Sequence, residues 1–200
     1  MRRRRWLCGV RIGEAANPEP LSHKGRGGKP KVQEIVVLDS SGAPQLAKAL
    51  GYYNQSSSGQ IAALVVQEHH AAGLAFGDLE LKAAGQGWRL RGASATKLET
   101  GWPSAGVCVA VRNHINLGLP PGWQHDISPH ASQGRLCACW IEGIIRGGLL
   151  VMSVYLWQSE GLTPRNRELL DQAVGYAKKF GGPWLLAGDF NMLPETLETE

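Results

Sequence analysis

Cysteine is scarce in this sequence, four in 200 residues, and aromatic residues make up only 7% of it. Cys8, Cys108, Cys137 and Cys139 are too few and too scattered to staple a small secreted scaffold. A zinc site from His125, His130, Cys137 and Cys139 would need a Cys-x-Cys pair, tighter than the usual zinc-ligand spacer. The cysteines read instead as small buried hydrophobes. Long apolar runs are missing too. Residues 6–10 are too short and too weakly apolar for a signal peptide or a membrane span, and no later segment is long enough. There is no internal repeat and no Gly-x4-Gly-Lys phosphate loop. The glycines at 25–28 follow no strand, so a dinucleotide fingerprint is excluded as well. These absences lead to the expectation of an intracellular protein without membrane contact.

The sequence has 43% hydrophobic and 19% charged residues, the balance of a globular chain. Its net charge of +4 is unevenly placed. Residues 1–31 carry Arg2 to Arg5, Arg11, Lys24, Arg26, Lys29 and Lys31 against only Glu14 and Glu19, so the remainder is net acidic. With Pro18, Pro20 and the Gly-rich stretch 24–30, this segment is expected to be a disordered basic tail, and residues 32–200 the folded part. A solvated linker is the plain reading of the tail. A nuclear address and sequence-independent phosphate contacts are the alternatives.

Past residue 31 strands and helices alternate. Residues 32–38 are rich in β-branched residues and 61–67 are apolar; both read as strands. Leu46, Leu50 and Tyr53 at helical spacing predict a helix over 44–53, with Pro44 near its first turn. Residues 71–84 read as a helix and 88–93 as a strand. Three further strands follow at 106–112, 135–145 and 148–157, the last two as a hairpin turning at 146–148. Pro164 opens a helix that Gly181-Gly182-Pro183 closes, and Trp184 to Ala187 form the last strand. Helices early and late around a block of strands predict a layered α/β sandwich.

Polar residues recur at the ends of the apolar strands: Asp39 after the first, Glu68 after the second, Asp189 after the last. Tyr155 adds a phenol near the end of another. Each alone reads as a strand terminus, and Gly188-Asp189-Phe190-Asn191 alone reads as an Asx turn. Gathered at one edge of packed sheets, they would form a carboxylate-lined pocket. Hard carboxylate oxygens suit Mg²⁺, which keeps several waters and binds through one or two carboxylates plus substrate phosphate. Such a pocket suits hydrolysis of a phosphate ester, with a carboxylate taking a proton from the attacking water.

Val65-Val66-Gln67-Glu68, the run from Ser104 to Val111, Val154-Tyr155 and Gly188-Asp189-Phe190-Asn191 together resemble the endonuclease/exonuclease/phosphatase (DNase I-like) superfamily. The flavour is nearest to abasic-site endonucleases and the endonuclease domains of non-LTR retrotransposons. The resemblance covers about residues 32–195 and implies a DNase I-like layered sandwich with helices outside two packed sheets. It implies a hydrolase using Mg²⁺, with Mn²⁺ able to substitute, and a nucleic-acid substrate, DNA first. Glu68 would be the metal ligand with Asp39 beside it, Asp189 would activate the water, Asn191 would contact water or phosphate, and Tyr155 would sit against the scissile phosphate. Two positions depart from the pattern: Asp39 stands where the family usually has Asn, and Trp157 where it has Pro after the strand Tyr. The family's late Asp-His pair lies beyond Glu200. The sequence therefore reads as the N-terminal portion of such a domain, incomplete at the C-terminus. The alternative is a truncated, inactive relative: a mobile-element fragment or a nucleic-acid-binding remnant.

Overall fold

A computed structural model describes residues 9–12, 33–55, 61–123 and 133–192. The elements are β1 (Gly9–Ile12), β2 (Gln33–Asp39), α1 (Ala43–Gln55), β3 (Ile61–Gln67), α2 (Leu74–Gly85), β4 (Trp88–Ala93), β5 (Thr96–Lys97), β6 (Pro103–Ser104), β7 (Val107–Arg112), β8 (Asn116–Gly118), β9 (Leu136–Glu142), β10 (Leu149–Tyr155), α3 (Pro164–Phe180) and β11 (Trp184–Asp189). One sheet has the order β1-β2-β3-β7-β4 and the other β11-β10-β9-β8; β5 and β6 pair as a separate ribbon. Within the sheets β2 runs parallel to β3, and β10 parallel to β11.

The two sheets pack face to face. Strands β3 and β10 lie inside their sheets and are buried at every position, which is why both read as unbroken apolar runs. Side chains alternate along each strand. Ala63 and Val65 of β3, Val107 and Val109 of β7, Cys137 and Cys139 of β9, and Val151 of β10 fill the space between the sheets. Leu64, Val66 and Trp88 face the other way and pack beneath Leu46 and Leu50 of α1 and Leu79 of α2. Leu150, Met152 and Val154 do the same beneath Leu169 and Ala173 of α3. The result is the expected sandwich, helices outside two sheets. None of the described helices is long and apolar enough to cross a membrane.

The structure differs from the expectation at the tail. Gly9–Ile12 form a strand antiparallel to β2, pairing an edge whose N–H and C=O groups would otherwise face solvent. The rest of the tail, residues 1–8 and 13–32, lies outside the described residues. The last strand is also longer than expected, because Gly188 and Asp189 continue the ladder beside Val154 and Tyr155. A Cβ on Gly188 would stand 1.9 Å from the Val154 carbonyl oxygen, so only glycine lets the two backbones approach there. His125 and His130 are outside the described residues. Their proposed zinc partners Cys137 and Cys139 are buried core residues.

Candidate active site

The site follows from strand parity. Ile35 and Val37 of β2 face the inter-sheet core, so Asp39, two residues on, ends that strand on the same face. Across the ladder its partner is Gln67. In the second sheet Ala187 faces the same core, Asp189 follows it at the period of two, and its ladder partner is Tyr155. Both parallel pairs end at the same end of the sandwich. Two contacts fasten them there. Gln67 Nε2 donates to Ser153 Oγ at 2.9 Å, and Ser153 Oγ donates to the Val66 carbonyl at 2.9 Å. One step further out, the Tyr155 hydroxyl donates to Glu68 Oε1.

Glu68 lies just past β3 with φ +55°, and His70 with φ +53°. Non-glycine residues in the left-handed region carry a cost that surrounding structure must hold in place, and such residues cluster at functional sites. His69, between them, is what holds this turn. Its Nδ1 accepts from the Ala71 N–H and its Nε2 faces the Ala93 carbonyl, each at 3.1 Å, which assigns the neutral tautomer protonated at Nε2. The ring stacks on Phe76 at 4.9 Å and covers Gly106, where a Cβ would stand 2.5 Å from the imidazole. Burial pulls the His69 pKa down to about 4, so it stays neutral.

Burial, then the bond to Glu68, raises the Tyr155 phenol well above its ordinary value, and the charge of Asp189 adds to this. The phenol is therefore a hydroxyl donor throughout the physiological range. Asp189 Oδ1 accepts the Asn191 N–H at 2.9 Å. Asn191 has φ +51° and turns back, donating from Nδ2 to the Leu156 carbonyl at 2.7 Å. That bond fixes how its amide is presented. Asp39 is bound locally: its Oδ1 accepts from the Ser41 N–H at 3.1 Å. It is thus an Asx turn at the rim beside Glu68's strand.

Sequence reasoning missed Arg135. It reads only as the first residue of a strand, yet it is 9% exposed and its guanidinium lies 4.7 Å from the Tyr155 ring centroid and 4.5 Å from that of Trp157. Its Nη1 donates to the Tyr155 carbonyl at 3.3 Å and its Nη2 to Ser104 Oγ at 3.4 Å. A charged residue opening an otherwise apolar run, directly after Gly134, is the signal that could have marked it. Carboxylate oxygens such as those of Glu68, Asp39 and Asp189 are the donor type that Mg²⁺ takes. Among the described residues no three His, Cys, Asp or Glu side chains form a closed ligand group, and Mg²⁺ held through one or two carboxylates and waters needs none.

No family model matches this chain, and no curated protein matches it. Solved structures do. The chain is similar to the 3'-5' exonuclease NExo from Neisseria meningitidis, with TM-score 0.51 and 20% identity over 80% of this chain and 58% of that one. It is similar also to the AP endonuclease LMAP from Leishmania major, with TM-score 0.52 and 15% identity over 78% of this chain and 54% of that one. It therefore spans little more than half the length of each. The arrangement of sheets, helices and strand ends is that of the DNase I-like endonuclease/exonuclease/phosphatase fold.

Proposed function

We propose that this chain carries the metal-holding and water-activating part of a Mg²⁺-dependent phosphodiester hydrolase that acts on nucleic acid, DNA first. The observation that carries the reading is the Tyr155 hydroxyl bonded to Glu68 across the two sheets, with the Arg135 cation seated on the same ring. A phenol donor, a carboxylate and a guanidinium converging at one end of a sandwich fit a phosphate flanked by a metal. Glu68 would hold Mg²⁺ with Asp39 at its side, and the bound ion would neutralise charge on the phosphate. Asp189 takes the proton of the attacking water as general base. Asn191 orients that water through its fixed amide. Tyr155, its one hydroxyl hydrogen given to Glu68, orients that carboxylate and sits against the scissile phosphate, and the always-charged Arg135 lowers the cost of bringing an anion there. The DNase I-like neighbours, an exonuclease and an AP endonuclease by their names, support a nucleic-acid substrate.

The test is nicking of supercoiled plasmid in Mg²⁺ and in EDTA, with Asp189→Ala as control. We expect metal-dependent nicking that falls at least ~10²-fold in Asp189→Ala, the scale of removing one positioned catalytic group. A folded wild-type protein that does not nick, or an Asp189→Ala protein that nicks equally well, would favour the inactive, nucleic-acid-binding relative.

A further inference from the structure

We propose that Arg165, stacked on Trp157, is a second phosphate contact, holding the nucleotide next to the one at Tyr155, so that the site takes a polynucleotide strand in preference to a small phosphoester. The inference rests on the phosphodiesterase reading and extends it along the strand. Trp157 lies two residues past Tyr155, and its ring receives two guanidinium groups, Arg135 and Arg165, each 4.5 Å from the centroid. Arg135 is buried against Tyr155, whereas the Arg165 side chain is 52% exposed at the rim. The two cations therefore form a short row leading outward from Tyr155. Their separation can be no greater than the two indole distances combined. Successive phosphates of a strand recur roughly every 3.4 Å of helix rise, so neighbouring phosphates fall within that reach.

The platform is rigid. Asn166, fully buried, accepts the Trp157 N–H at Oδ1 at 2.9 Å and donates from Nδ2 to the Trp157 carbonyl at 3.3 Å and the Gly161 carbonyl at 2.7 Å. Arg165 is ion-paired with Glu160, whose side chain is 25% exposed. Arg165 bonds both carboxylate oxygens of Glu160, Nε to Oε2 and Nη2 to Oε1, and a phosphate diester, which offers the same fork of acceptors, must displace both bonds. Arg165 is thus pre-placed by the indole, with Glu160 occupying the position the phosphate takes.

The experiment is fluorescence anisotropy of a labelled single-stranded deoxyoligonucleotide of about 12 nucleotides across a salt series, without divalent metal. The basic N-terminal segment is common to all variants and cancels in the comparison. Arg165→Gln should weaken binding about 5–10-fold and flatten the salt slope by ~0.7 to 1, the signature of one lost phosphate contact. Glu160→Gln should tighten binding by removing the competitor. Thymidine 5'-(p-nitrophenyl phosphate), which has no second phosphate, should compete only weakly with the oligonucleotide for wild type; equal competition per molecule would also overturn the inference. Unchanged affinity and slope in Arg165→Gln, or weaker binding in Glu160→Gln, overturns the inference. Failure of the parent reading looks different: a wild type that does not nick plasmid but still shows the Arg165 slope change keeps the subsite and loses the hydrolase.

Discussion

The middle of β3 and its end are built in opposite ways. From Ala63 to Val66 every residue is buried, the ladder to β2 runs without a shift, and position is fixed by apolar contact on both faces. Immediately beyond, Glu68 and His70 sit in left-handed conformations and position is fixed by polar bonds: His69 to Ala71 and Ala93, Tyr155 to Glu68. The same change occurs on β10 and β11, where Leu150 to Val154 pack and Tyr155, Asp189 and Asn191 bond. Packing tolerates any apolar side chain of suitable size, whereas the polar end depends on particular atoms. The core thus sets where the strands stop, and Glu68, His70 and Asn191 take left-handed backbone just beyond those stops.

Changes at either place should separate the two kinds of support. The largest effect is expected in the packed region. Trp88 is fully buried beneath α1, its indole N–H donating to the Leu50 carbonyl at 3.1 Å and Arg112 lying 4.2 Å from the ring centroid. Trp88→Ala should cost about 3–5 kcal/mol in urea unfolding. A loss below about 1 kcal/mol would mean that the helix-covered face collapses around the gap.

The next effect is at the polar end and depends on pH. His69 titrates near 6.5 in the unfolded chain and at about 4 in the fold. Between these values the unfolded chain binds a proton that the folded chain refuses. Stability is therefore fully present above the higher value and falls as pH drops through the window, by up to about 3 kcal/mol below the lower one. Stability curves of wild type and His69→Gln should diverge across this window, with wild type losing more on acidification. Gln can still accept from Ala71 and donate to Ala93, so parallel curves would show that the fold takes up the His69 proton as readily as the unfolded chain does.

Smaller still is the tether that joins the two regions. Ser153→Ala leaves Gln67 Nε2 without its buried acceptor and should cost about 1–3 kcal/mol. Replacing Gln67 by Leu in the same protein should restore part of that loss, since an apolar pair removes an unpaired donor. A double variant less stable than Ser153→Ala would show that the sheets are held by more than this bond and the surrounding packing.

The sequence made the packed parts legible for a physical reason. Residues 61–67 and 164–180 carry an unbroken apolar run and a helical period with Pro and Gly at its ends, and the structure places elements over Ile61–Gln67 and Pro164–Phe180. Strands β5, β6 and β8 have two or three residues, too few to show any period, and were not anticipated. The strand-end positions of Asp39, Tyr155 and Asp189 were also legible, because parity fixes the face once the strand is known, whereas Glu68 has the parity of the helix-covered face and is turned inward by its left-handed backbone. What could not be read was the set of bonds among them. Arg135 on the Tyr155 ring joins residues 20 apart, Tyr155 to Glu68 joins residues 87 apart, and no local pattern encodes such pairings. His69 shows the same limit: in sequence it is one of two adjacent histidines, and only burial beneath Phe76 and over Gly106 distinguishes it from His70.

That the polar end serves metal-assisted phosphate chemistry is tested most directly by Mn²⁺, used as a spectroscopic stand-in for Mg²⁺ and followed by electron paramagnetic resonance. Wild type and Glu68→Gln are compared at matched folding, checked by circular dichroism. We expect wild type to bind Mn²⁺ at a site that excess Mg²⁺ empties, and Glu68→Gln to lack that Mg²⁺-displaceable binding. Equal, Mg²⁺-displaceable Mn²⁺ binding by both proteins, or none by wild type, would contradict the assignment of Glu68 as the residue around which this site is built.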